Sequence, residues 1–203
     1  MLAVFGVWTA AVCCIDVQPI GPLGSEVGLA SMNAFVHNLT GMHMKLYIIT
    51  DWLGLVPIAV AFGFAMLGLC QWIARRNILK VDRSILVLGG FYVVVMAAYA
   101  FFEACVVNYR PVLIDDYLEA SYPSSTTLLV LCVMPTAIIQ LNGRIKNCVF
   151  RRCVLLCGVV FTGFMVAGRL ISGVHWFSDI VGGALLSAGL VMLYDSIAVD
   201  AKA

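Results

Sequence analysis

Three observations predict an all-α fold, a polytopic helical bundle built into a membrane. The chain is 63% hydrophobic and only 11% charged over 203 residues, and its mean hydropathy of +1.02 lies well above that of an ordinary soluble domain. Several apolar runs reach the roughly 17–25 residues that a helix needs to cross a hydrocarbon core. Between them, Lys and Arg gather in alternate loops, the asymmetry that orients membrane helices. About six transmembrane spans are expected, in one integral membrane domain over 1–203. A formal charge of +1 and the lack of a basic aromatic patch exclude a nucleic-acid partner.

The elements follow in order. Leu2 to Ile15 is apolar but short for a span. It reads as a short first helix, a signal-like segment or the remnant of a longer N-terminus, and these alternatives stay open. Pro19, Gly21, Pro22 and Gly24 make a loop. From Ser25 to Thr40 the apolar residues Leu29, Met32, Phe35, Val36 and Leu39 recur at helical spacing, predicting an amphipathic helix on the membrane face or over a site. His37 and His43 read there as interfacial side chains. Trp52 to Trp72 is a span bracketed by tryptophans, and Asp51 beside it reads as an interfacial anchor or as a residue facing the site. Further spans are expected at Ser84 to about Val107, Ser124 to about Leu141, Cys153 to Leu170 and Trp176 to Tyr194. In the last of these, Gly183 with Ser187 and Ala184 with Ala188 offer small faces for close helix packing. Of the eight cysteines, Cys70, Cys105, Cys132, Cys153 and Cys157 lie in or beside apolar runs without metal-ligand spacing, and read as small buried hydrophobes.

The connections 74–83, with Arg75, Arg76, Lys80 and Arg83, and 142–152, with Arg144, Lys146, Arg151 and Arg152, are the Lys/Arg-rich loops. Two spans separate them, so they share one side, predicted to be the cytoplasm. The Tyr109–Pro123 loop and the Arg169–His175 turn then meet on the opposite, external face. There, inside an apolar sequence, Arg169, His175 and Asp179 fall together. Ionisable groups beside spans are costly, about 2.5–3.5 kcal/mol each at a helix centre, which makes such a cluster a functional-site hypothesis. If Trp176 onward is helical, His175 and Asp179 share a face, and the carboxylate orients the imidazole as nucleophile or base. Arg169, just before the Ser172-Gly173 break, can fold back with its planar fork to bind a phosphate or carboxylate beside His175. The start of the next helix adds N–H groups and a positive dipole end.

Three external segments, Glu103 to Pro111, Tyr122 to Thr126 and Arg169 to Gly183, resemble in order, spacing and membrane side the signature segments of the phosphatidic acid phosphatase type 2 superfamily, membrane lipid phosphatases related to vanadium haloperoxidases. The resemblance covers roughly 84–194. It implies a six-span bundle with a metal-independent phosphatase site, no cofactor, and a lipid phosphate or diphosphate as substrate. His175 would form a phosphohistidine, Asp179 would orient and charge-stabilise it, and Arg110 and Arg169 would hold the non-bridging oxygens, with Ser124 adding a donor at a helix start. Such positioning and charge spreading suit a loose phosphoryl-transfer transition state.

The chain departs from that pattern in three places. Gly168 stands where serine usually precedes the arginine. Glu103 occupies the first segment's lysine position, inverting its charge, and is expected to pair with Arg110 or Arg169. Thr126 replaces the second segment's histidine, which protonates the leaving group, and general acid catalysis of that kind contributes typically 10²–10⁴-fold. A phosphate leaving from a diphosphate needs less help, having a second pKa of about 6. Polyprenyl diphosphates are therefore favoured, with Glu119 a candidate substitute acid. The alternative is a family member that binds or carries a lipid phosphate without turnover.

Overall fold

The computed structural model describes residues 1–200. Among the described residues every regular element is a helix, and five are long and apolar enough to cross a membrane, joined by one shorter apolar helix. In order they are α1 (Leu2–Cys14), α2 (Ala30–Thr40), α3 (Met44–Leu53), α4 (Leu55–Arg75), α5 (Arg83–Ala104), α6 (Ser125–Arg144), α7 (Cys148–Ile171) and α8 (Phe177–Asp200).

The expected span at Trp52–Trp72 proves longer. Helices α3 and α4 run on as one path, Met44–Arg75, through Gly54. At 1.5 Å per residue this path is about 48 Å long against a hydrocarbon core of about 30 Å. One of its ends must therefore stand clear of the hydrocarbon. Its first turns bring Tyr47 and Asp51 to the site.

Helix α6 is the centre of the bundle and packs against α4, α5, α7 and α8. Leu128 and Cys132 from α6, Leu88 and Val95 from α5, and Tyr194 from α8 form its apolar core. The small face expected on α8 is used here. A Cβ on Gly183 would lie 3.2 Å from Ser124 O and from Thr127, and Ser187 Oγ donates to Gly183 O at 2.7 Å. The cysteine expectation holds for Cys132 alone. Cys70, Cys105, Cys153 and Cys157 are exposed on the protein surface, because a lipid-facing helix surface tolerates the same apolar residues as a core.

At one end of the bundle Asp82 ties the two basic connections together. Arg75 Nη1 lies 3.0 Å from Asp82 Oδ1, and Arg144 Nη1 lies 3.2 Å from Oδ2. The hydrogen bond from Gln71, then those from Arg75 and Arg144, hold the Asp82 carboxyl below its usual range. The loops 105–124 and 172–176 lie at the other end.

Helix α1 packs on α8, where Trp8 Nε1 donates to Ser178 O at 3.1 Å. Helix α2 starts later than the pattern suggested and turns its polar side inward. Asn33 is buried, while Phe35 and Leu39 are 64% and 71% exposed. The reason is the end of α8: Ser178 N–H donates to Asn33 Oδ1 at 3.0 Å, so α2 supplies the side-chain cap that the α8 sequence lacks.

Candidate active site

The site is assembled from three segments that meet at one end of the bundle. The 108–121 loop folds back on itself as a short ribbon. Arg110 N–H donates to Glu119 O at 3.0 Å, and Ser121 N–H donates to Asn108 O at 2.9 Å. Alternate residues of an extended chain share a face. Asn108 and Arg110 therefore share one face of the ribbon with their cross-strand neighbours Ser121 and Glu119, on either side of the Tyr109–Ala120 bridge.

The second segment is the turn between α7 and α8. Gly173 has φ +66, and a Cβ there would meet Gly41 O at 2.0 Å, so both the left-handed backbone and the close approach require glycine. The reversal brings the last turn of α7 back onto the ring. Arg169 Nη2 donates to His175 Nε2 at 3.0 Å. With Nε2 accepting, the other ring nitrogen carries the proton.

His175 precedes α8 rather than lying on it, which corrects the expected contact with Asp179. The Nδ1–Oδ2 separation is 3.9 Å, too long for a hydrogen bond. Ser121 closes the gap. Its Oγ is 3.0 Å from His175 Nδ1 and donates to Asp179 Oδ2 at 2.5 Å. The relay is thus His175–Ser121–Asp179, all three side chains buried.

Asp179 is held from several directions. Trp176 N–H donates to Oδ2 at 2.9 Å, the backward half of a capping box for α8. Asn108 Nδ2 reaches Oδ1 at 3.3 Å, and Ser178 Oγ reaches it at 3.4 Å. Two of the N–H groups at the start of α8 that were expected to face an anion are used internally, Trp176 by Asp179 and Ser178 by Asn33.

The third segment is α3. Tyr47 lies between the two arginines, 4.9 Å from the Arg169 guanidinium carbon and 5.7 Å from that of Arg110. Its hydroxyl accepts from Arg110 Nη1 at 3.4 Å. Asp51 Oδ1 lies 3.5 Å from Arg169 Nη1, so this residue faces the site instead of only anchoring a span. Helix α3 can approach because of the residue that departs from the family pattern. A Cβ on Gly168 would stand 2.7 Å from Thr50 Cγ2, leaving no room for serine.

The two arginines keep unspent donors in buried positions. Arg169 Nε, on a side chain 1% exposed, has no partner. Arg110 Nε is 3.1 Å from Glu119 Oε2, an ion-pair distance at an angle that makes no hydrogen bond, so that N–H is unpartnered too. Burial first, then the charges of Arg169 and Arg110, hold the His175 pKa well below 6.5. The imidazole is neutral at ordinary pH, with a nucleophilic lone pair on Nε2.

The other expected residues are placed as follows. Glu119, not Glu103, pairs with Arg110. Glu103 pairs with neither arginine among the described residues and lines a cavity of about 10 Å³, the room of one water, with His175, Ser121 and Ser125. Ser124 does not line that cavity. It is fully buried, its N–H donates to Asp179 O at 3.1 Å, and its Oγ accepts from Thr127 at 3.0 Å. Thr126 is buried nearby, also off the cavity. Tyr47, Asn108 and Ser121 belong to the site without having been singled out. Their only sequence signal was polar character beside the marked segments.

Comparison with known proteins bears on this geometry. The family model described as PAP2 superfamily matches residues 101–200. No curated protein sequence matches the chain. Among solved structures, the crystal structure of the first transmembrane PAP2 type phosphatidylglycerolphosphate phosphatase from Bacillus subtilis superposes with a TM-score of 0.55, covering 97% of this chain and 92% of that one at 18% identity. At that identity the likeness is one of fold.

Proposed function

We propose, from the match of residues 101–200 to the PAP2 superfamily model, that the chain is a member of that superfamily and a membrane phosphohydrolase acting on a lipid phosphate or diphosphate through His175. The observation that supports this reading is the pair of buried guanidinium groups with unpartnered Nε–H donors around a neutral imidazole. Desolvated donors of this kind lack something to hold, and planar forks fit phosphoryl oxygens.

The reaction follows from the hydrogen bonds. A phosphoryl group settles between Arg110 and Arg169, and Arg169 exchanges His175 Nε2 for a phosphoryl oxygen. The freed lone pair attacks phosphorus, forming the N–P bond as the bond to the leaving oxygen breaks. The imidazole becomes cationic while its Nδ1–H stays on Ser121, and Asp179 stabilises the charge through that hydroxyl. Water then attacks phosphorus and releases phosphate, restoring neutral His175. Thr126 offers no acid, and Glu119 is held as a partner of Arg110. A leaving group that departs as an anion is therefore favoured, which selects a polyprenyl diphosphate over a phosphatidic acid. With the basic loops in the cytoplasm, the site opens at the external face.

Phosphate release by the purified protein in detergent with EDTA tests this, comparing a polyprenyl diphosphate with a phosphatidic acid. Release from the diphosphate, abolished in His175→Ala, is expected. Full release by His175→Ala would overturn the mechanism. Lipid binding without any release or phosphoenzyme would instead make the protein a binder or carrier.

A further inference from the structure

The half of the bundle away from His175 holds a feature that the phosphatase reading does not use. Helices α4 and α5 part there to leave an open groove of about 560 Å³, lined by Phe64, Gly68, Trp72, Leu88, Gly89 and Met96 among other apolar side chains. Its walls run over 61–72 on α4 and 85–96 on α5. At 1.5 Å per residue each wall is about 16 Å deep, half of a hydrocarbon core of about 30 Å. The groove therefore has the depth of one leaflet.

Its end is closed by the connection between the two helices, through Ile78 and Val81. That connection is basic. Arg75 is spent on Asp82, but Arg76, Lys80 and Arg83 are exposed and make no ion pair among the described residues. Trp72, 48% exposed on the rim, is the side chain favoured at a headgroup boundary. An apolar slot one leaflet deep, ending beside three unpaired cations, matches an acyl chain joined to a phosphate.

We infer that the groove between α4 and α5 binds an anionic phospholipid of the leaflet on the side of the basic loops. One acyl chain lies along Gly68 and Gly89, and the headgroup phosphate rests on Arg76, Lys80 and Arg83. This lipid is distinct from any substrate, since His175 and both site arginines lie at the opposite end. A second copy of the chain is the competing occupant, but three uncompensated cations at its mouth disfavour an isologous contact, which would bring like charges together.

Native mass spectrometry of the full-length protein, delipidated and then titrated with dioleoyl phosphatidylserine or dioleoyl phosphatidylcholine, tests the inference. Preferential binding of one phosphatidylserine is expected, unchanged in Arg110→Gln/Arg169→Gln, which empties the site near His175. Each Lys or Arg near a surface contributes about 1 kcal/mol toward an acidic lipid, so Arg76→Gln/Lys80→Gln/Arg83→Gln should bind about a hundredfold more weakly. A Cβ on Gly89 meets nothing within 4 Å. Gly89→Leu therefore fills the groove without moving backbone or charge, and should displace the lipid. Equal affinity for both lipids, undiminished binding by Gly89→Leu, or a dimer that Gly89→Leu dissociates would overturn the inference.

Discussion

Removing the hydroxyl of Ser121 separates a relay from a direct histidine–aspartate pair. Ser121→Ala leaves His175 Nδ1 and Asp179 Oδ2 3.9 Å apart with nothing between them. Asp179 keeps its bonds from Trp176 and Asn108, so the carboxylate should stay in place. The imidazole loses the only acceptor that its Nδ1–H has among the described residues. A hydrogen bond to a charged group contributes about 1.5–3 kcal/mol, and here it gains its charge as the imidazolium forms. At 1.36 kcal/mol per tenfold, kcat should fall by about 10 to 150-fold with KM little changed. Single-turnover phosphate release with acid-quench trapping of the phosphoenzyme reads the step directly, and thermal unfolding verifies that the variant is folded. Ser121→Thr, which keeps the hydroxyl, should recover most of the loss. A folded Ser121→Ala with wild-type trapping kinetics would refute the relay.

Other perturbations reach separate parts of the argument. The folded chain refuses a proton that unfolded His175 takes up near pH 6.5, so stability should fall as pH drops below 6.5 and stay level above it. His175→Gln should flatten that portion of a pH–unfolding curve, and an unchanged slope would count against a neutral buried imidazole. Gly168→Ser forces a Cβ to 2.7 Å from Thr50 Cγ2 and should destabilise by about 1–3 kcal/mol. Adding Thr50→Ala should recover this in chemical denaturation, and failure to do so would place the cost elsewhere. Glu119→Gln frees Arg110 from a partner that is 42% exposed. Surface pairs contribute about 0–1 kcal/mol, so kcat on a diphosphate should stay within about fivefold while inorganic phosphate competes better. A loss of two decades would instead identify Glu119 as the acid.

The spans and the cluster around His175 were legible because long apolar runs and isolated charges are one-dimensional signals. Arg169 folding back on His175 followed from the glycine beside it. The His175–Asp179 contact is indirect for a geometric reason, since spacing of four residues is a helical rule and α8 begins two residues after His175. The partner was Ser121, in a ribbon whose register only its backbone bonds reveal. Tyr47 was hidden by a boundary. Taking the span from Trp52 set aside the polar turn before it, yet that turn touches both arginines. Glu103 was assigned an arginine by charge alone, although Glu119 sits directly across the ribbon from Arg110 and wins by proximity.

The bond from Arg169 to His175 Nε2 has a bearing on chemical safety. An imidazole lone pair is a good ligand for transition metals and a target for electrophiles. In the structure a guanidinium hydrogen of Arg169 covers that nitrogen, away from solvent. An oxyanion uncovers it by giving the arginine something better to hold. Recognition and activation are thereby one event.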